Sequence, residues 1–181
     1  MADVAVFTIG HSRHSFDTFA GLLKKHAIQV LIDARSRPQS RWVPWFNQKN
    51  LETAIPKIGI EYQWAGTLGG LPADQTFYKP NLNRKRKTDP ATVADYDKIA
   101  RQKWFQVAIN QLLEVAKQRR TAIMCAEENP QECHRSRLIG QTLVKRGVKV
   151  LHIRKDGKLE PQTATESGET ADIFESRPII D

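Results

Sequence analysis

The chain has 181 residues, 40% of them hydrophobic and 27% charged, with two cysteines and a formal net charge of +8. That composition excludes a disulfide scaffold and a disordered or fibrous chain, and no run of apolar residues reaches the length of a spanning helix or a secretory signal. One globular domain in a reducing cytoplasm is expected, with both cysteines as thiols.

The charge is uneven. Residues 160–181 hold six acids (Glu160, Glu166, Glu169, Asp172, Glu175, Asp181) against the single base Arg177, which leaves +13 on residues 1–159. A body this basic keeps a protein soluble and also concentrates phosphate-bearing molecules around it. The expected partner is a phosphate-bearing small molecule or a nucleic acid, with no membrane contact and no cofactor.

In chain order, VAVFTIG (4–10) reads as a β-branched strand closed by Gly10. SFDTFAGLLKKHA (15–27) reads as a helix, with Ser15 as N-cap, Asp17 in the first turn and an apolar stripe of Phe16, Phe19, Leu22, Leu23 and Ala27. IQVLIDAR (28–35) is a second buried strand, and Pro38 and Pro44 make 36–47 a loop. A helix over about 48–58 leads to a third strand at 60–66. Residues 66–95 lack periodicity, contain Gly69, Gly70, Pro72, Pro80, Pro90 and the basic run RKRK at 84–87, and are expected to form a long connection of the kind that serves as a lid, a binding loop or a disordered segment.

The longest helical pattern spans 94–119, with Ile99, Phe105, Ala108, Ile109, Leu112, Leu113 and Ala116 as its stripe. Strand four is TAIMCAE (121–127), a helix over 135–147 ends at Gly147, and strand five is VKVLHIR (148–154). From 160 onward an acidic, loosely held tail is expected. Strands alternating with helices predict a three-layer α/β sandwich around a mostly parallel, Rossmann-like five-stranded sheet.

In such a sheet, ligands bind beyond the carboxyl ends of the strands. The polar residues that follow the strands are Gly10, His11 and Ser12; then Asp33, Arg35, Arg37 and Arg41; then Cys125, Glu127, Cys133, His134 and Arg135. Taken singly, each has an ordinary structural use as turn bond, loop cap or small buried thiol. Their convergence on one edge makes a site.

The cysteines lack the short paired spacing of a zinc knuckle, so a zinc site on Cys125, Cys133, His134 and His11 is conceivable but weakly signalled, and no metal is expected. Nor is there an arginine about six positions after either cysteine, as a phosphatase or rhodanese cradle requires. The helix start at His134 and Arg135 offers N–H groups, a dipole and a guanidinium to a phosphate, and would lower the Cys133 pKa. Arg35, Arg37 and Arg41 interleave with Trp42, Trp45 and Phe46 in a way that suits phosphate contact with base stacking.

The segments FTIGHS, LIDARSRPQSRWVPWFN, GIEYQWAGTLGG, IMCAEENPQECHRSRLIG and VLHI resemble, in order and spacing, the bacterial and archaeal family called domain of unknown function 488, over roughly residues 6–153. The resemblance rests on Gly10, His11, Ser12, Asp33, Arg35, Pro38, Ser40, Arg41, Phe46, Asn47 and the Leu68-Gly69-Gly70 turn, then on Cys125, Glu127, Cys133, His134 and Arg135. Ala34 departs from the valine common there. What the resemblance implies is an enzyme or a nucleic-acid-associated protein, without a substrate.

Three functional readings follow. In the first, an enzyme acts on a phosphate-bearing substrate: Arg35, Arg41, His134 and Arg135, with Gly10 and Ser12, hold the anion, His11 and Glu127 move protons, Asp33 orients, and Cys125 or Cys133 is a nucleophile. In the second, the same basic edge is a non-catalytic nucleic-acid-binding module. In the third, Cys125, Cys133 and His134 form a thiol- or metal-dependent sensor.

Overall fold

The computed structural model describes residues 4–164. Strands β1 (Ala5–Gly10), β2 (Val30–Asp33), β3 (Glu61–Trp64), β6 (Thr121–Cys125), β7 (Lys149–Ile153) and β8 (Leu159–Pro161) form one sheet in the order β3-β2-β6-β1-β7-β8. The first five are mutually parallel and β8 runs antiparallel to β7. β2 and β6 are buried at every position and β1 at all but its first, because helices cover both faces, and their sequences accordingly read as unbroken apolar runs.

Helices α1 (Phe16–Lys25) and α2 (Gln48–Lys57) lie on one face, where Phe19, Leu23, Leu51 and Ile55 pack with Phe7, Ile9, Leu31 and Met124. Helix α4 (Lys103–Gln118), the short α3 (Tyr96–Ala100) and the 135–145 helical segment lie on the other, joining Ile99, Phe105, Ile109 and Leu138 to Val6, Val30 and Ile123. This is the three-layer α/β arrangement expected. Ser15 caps α1 by accepting from the Thr18 N–H at 3.1 Å, and Gly147 takes φ +76° just past α5 (Gln141–Lys145), as the C-terminal glycine should.

Four expectations change. The sheet gains a sixth strand, because Leu159 and the first two residues of the expected tail, Glu160 and Pro161, pair with β7 opposite Ile153, His152 and Leu151. The rest of that tail, 165–181, lies outside the described residues. The helix expected over 94–119 breaks at Arg101–Gln102, with Gln102 extended at φ −73°, ψ 137°. The break has a packing reason, since Ile99 and Phe105 are both fully buried yet would point about 120° apart on one continuous helix. Residues 66–95 are not featureless: β4 (Tyr78–Pro80) and β5 (Thr92–Ala94) form an antiparallel hairpin with RKRK in its loop. Finally, the segment after Cys133 starts as a π-helix over Arg135–Gly140, and this wider turn buries Arg135, Ser136, Leu138, Ile139 and Gly140 almost consecutively.

The strand order also sets where the loops meet. β6 lies between β1 and β2, and the chain leaving β6 goes to the face opposite the one taken by α1 and α2. The loops after β1 and β2 and the 126–134 loop therefore come together at the carboxyl edge of the sheet.

Candidate functional site

Asp33 ends β2 and is fully buried. Its Oδ1 accepts from the Arg35 backbone N–H (3.1 Å) and from Arg35 Nε (2.8 Å), and its Oδ2 accepts from Arg35 Nη2 (2.6 Å) and from the Tyr62 hydroxyl (2.8 Å). Arg35 Nη2 also donates to the Phe46 carbonyl at 2.7 Å, and Nη1 lies 3.1 Å from His11 Nε2.

The second nitrogen of His11, Nδ1, is 2.8 Å from the Ser12 carbonyl, which can only accept. Nδ1 therefore carries the proton and Nε2 offers its lone pair to Arg35. Burial first, and the Arg35 charge second, pull the His11 pKa down to about 4, and the ring stacks on Phe46 at a centroid distance of 4.5 Å. His11 is thus neutral near pH 7 with both nitrogens engaged. Asp33 reaches it only through Arg35, so the expected orienting contact between them is indirect.

Arg135 is likewise turned inward and fully buried. Its Nη1 donates to the Glu127 carbonyl, its Nη2 to the Glu128 carbonyl (2.6 Å), and its Nε to Thr8 Oγ1 (3.2 Å). Thr8 Oγ1 is 2.6 Å from His152 Nδ1, and His152 Nε2 is 2.8 Å from Gln162 Oε1, which also accepts from Ser136 Oγ at 2.7 Å. Gly10 fits this clamp: a Cβ there would lie 1.7 Å from the Glu127 carbonyl oxygen and 2.9 Å from Arg135 Nη1. Gly10 and Arg135, expected to hold phosphate, fold the 126–134 loop onto β1. Ser12 serves the same junction, donating its N–H to the Ala126 carbonyl at 2.7 Å from a left-handed φ of 47°.

That loop carries the thiols together. Cys125 ends β6; Cys133 and His134 follow a 3-10 turn over Pro130–Glu132. His134 Nε2 is 3.0 Å from the Ala34 carbonyl, so Nε2 carries a proton and Nδ1 faces the sulfurs, 3.4 Å from Cys125 Sγ and 3.8 Å from Cys133 Sγ. Cys125 Sγ donates to Glu127 Oε2 at 3.1 Å, and the Arg135 backbone N–H donates to Cys133 Sγ at 3.4 Å.

The electrostatics separate the two thiols. Burial raises the Cys125 pKa, and the charge that Cys133 would carry raises it further. For Cys133, burial is outweighed by the neighbouring Cys125 thiol and the charges of His134 and Arg135, which hold it well below the ordinary thiol range. Glu127 keeps an exposed edge, but its carboxylate is held above the usual range, by loss of water first and by the Cys133 charge second. Gly69 and Gly70 lie directly over this region: added Cβ atoms would come within 1.9 Å of Ser36 Oγ and 2.6 Å of His134 Cβ.

The 36–47 loop projects outward. Arg37 and Arg41 are exposed, Arg41 lies over the Trp42 ring at 5.4 Å, and Trp45 donates its indole N–H to the His14 carbonyl at 2.9 Å. RKRK lies elsewhere, in the β4–β5 loop, and spends part of its charge there: Arg84 donates to the Lys87 carbonyl and Arg86 pairs with Asp89 at 3.3 Å. Sequence reasoning missed Tyr62, Thr8 and the Ala34 carbonyl as site groups. Only the strand register would have shown them, since Thr8 sits opposite His152 across β1 and β7.

Fold and edge together define a class: a three-layer α/β protein whose polar side chains gather where the strand order reverses. The chain belongs to the family described as Domain of unknown function DUF488, which matches residues 15–141 and so takes in Asp33, Arg35, both cysteines, His134 and Arg135. No curated protein and no solved structure matches the chain. No helix among the described residues is long and apolar enough to cross a membrane.

Proposed function

We propose that the chain binds single-stranded nucleic acid in the cytoplasm through the 36–47 loop, and that His11, Asp33 and Arg35 shape this loop rather than turn over a substrate. The observation that carries the reading is the Arg41 guanidinium 5.4 Å above a Trp42 ring that is 58% exposed. A guanidinium over a partly exposed indole presents a phosphate contact and a stacking surface together, which suits a strand whose bases are unpaired.

Trp45, 40% exposed, is fixed by its bond to His14, so its ordering cost is already met before a base arrives. Arg37 on the same loop and the +13 carried by residues 1–159 supply the field. The catalytic reading on a phosphate-bearing substrate is less well supported, because it needs a free lone pair on His11 and free guanidinium edges on Arg35 and Arg135, and all of these have internal partners.

Fluorescence anisotropy with a labelled single-stranded oligonucleotide across a salt series tests this. Affinity should fall with rising salt, Arg37→Ala and Arg41→Ala should each reduce the logarithmic salt slope by about one, and Trp42→Ala should weaken binding by about 1–3 kcal/mol. Binding that ignores salt, or that survives Arg41→Ala and Trp42→Ala unchanged, overturns the reading.

A further inference from the structure

We propose that Cys125, Cys133 and His134 form a binding site for one zinc-class divalent cation. Their donor atoms, two sulfurs and one imidazole nitrogen, all lie within 4.8 Å of one another. The nitrogen-to-sulfur separations are 3.4 and 3.8 Å. An ion bonded to sulfur at about 2.3 Å and to nitrogen at about 2.0 Å in a tetrahedron sets those edges at about 3.5 Å, so both nitrogen–sulfur edges are already close to those of a coordination shell. Two thiolates and an imidazole are the donor set that selects zinc over the hard cations.

The surroundings are those of a supported ligand set. The Nε2–H of His134 is directed at the Ala34 carbonyl, which leaves Nδ1 turned toward both sulfurs, where an ion would replace any proton it carries. The Arg135 backbone N–H donates to Cys133 Sγ, and the Arg135 guanidinium holds the carbonyls of Glu127 and Glu128, which sets the loop between the two cysteines. Glu127 approaches Cys125, 3.1 Å from its sulfur, but lies outside the three-donor group.

The site also suits an ion better than an organic ligand. Both cysteines are buried, and the surface clefts beside β7 and between β3 and α4 include none of the three donors. Zinc-knuckle spacing is absent because the donors are gathered differently: a strand end and a π-helix start replace the short knuckle, with the 3-10 turn between them.

The test is a titration of the full-length, reduced and chelator-treated protein with Co(II), followed by displacement with Zn(II). One equivalent of Co(II) per chain is expected, with sulfur-to-cobalt charge-transfer absorption and the intense visible bands of a tetrahedral site, all bleached by zinc. Cys125→Ser and Cys133→Ser should each remove the charge-transfer band while circular dichroism stays native. His134→Ala should weaken zinc by more than the roughly 10–100-fold that loss of one supporting hydrogen bond costs.

If either serine variant fails to fold, the wild-type stoichiometry and absorption spectrum decide alone. Binding without charge-transfer absorption, or less than a fifth of an equivalent bound by the wild type, overturns the proposal. So does a wild-type protein that takes no cobalt but closes a Cys125–Cys133 disulfide under mild oxidation, which would make the pair a redox dithiol.

Discussion

Asp33 grips Arg35 through both carboxylate oxygens, at 2.8 Å to Nε and 2.6 Å to Nη2, although the two residues are only two positions apart. Residues at that spacing on an extended chain share a face, so the pair forms as β2 ends. Both partners are buried, which makes each the other's counter-charge where water is excluded. Asp33→Asn leaves the guanidinium without its counter-charge and is expected to cost about 3–5 kcal/mol in urea unfolding. A loss under about 1 kcal/mol would mean that the pair is not formed.

Acid should destabilise the fold through two histidines. Burial, followed by Arg35 at His11, brings the His11 pKa to about 4, and burial brings that of His152 to about 4 as well. Both therefore lie below the ordinary value of about 6.5. Since the unfolded chain binds these protons more readily, the stability they contribute is complete above about pH 6.5 and is lost as pH falls toward 4, by about 3 kcal/mol for each. Urea midpoints measured between pH 4 and 7 should show the decline, and His152→Gln should flatten it by roughly half.

Arg135 carries a buried charge satisfied by backbone carbonyls and Thr8 instead of by a carboxylate. Arg135→Lys keeps the charge but not the fork that spans two successive carbonyls. A loss of about 2–3 kcal/mol is expected from the acceptor left unpaired, with hydrogen exchange speeding up first over 126–134.

Gly10→Ala and Gly70→Ala should each be destabilising despite their small size. The new Cβ would lie 1.7 Å from the Glu127 carbonyl oxygen in one case and 2.6 Å from His134 Cβ in the other. Backbone cannot give way as a side-chain tip can, so Gly10→Ala should cost about 3 kcal/mol or more. Gly21→Ala, where a Cβ meets nothing within 4 Å on helix α1, should instead be neutral or stabilising. Thermal unfolding of the three variants measures the contrast.

The layers and the parallel strands were legible because fully buried strands and one-sided helices leave different apolar periods, and the glycine at 147 and the cap at Ser15 have local causes. The carboxyl edge was legible from topology alone. What one-dimensional reading missed was whether a polar group on that edge is free. Arg35 and Arg135 look like anion ligands until Asp33 and the carbonyls of residues 127 and 128 are seen to occupy them. The cysteines' spacing does not show that a strand end and a π-turn bring both sulfurs and His134 Nδ1 together. The break at Arg101–Gln102 was hidden for a related reason: a helical stripe tolerates a change of axis when both halves face one core.

Strand β8 leads into the support of the thiol loop. Gln162, just beyond it, accepts from Ser136 and meets His152, which meets Thr8, which in turn receives Arg135. The clamp that shapes the thiol loop is thus anchored, through Thr8 and His152, in a residue beyond the 15–141 span of the family match, and Gln162→Ala would open the relay without touching the loop.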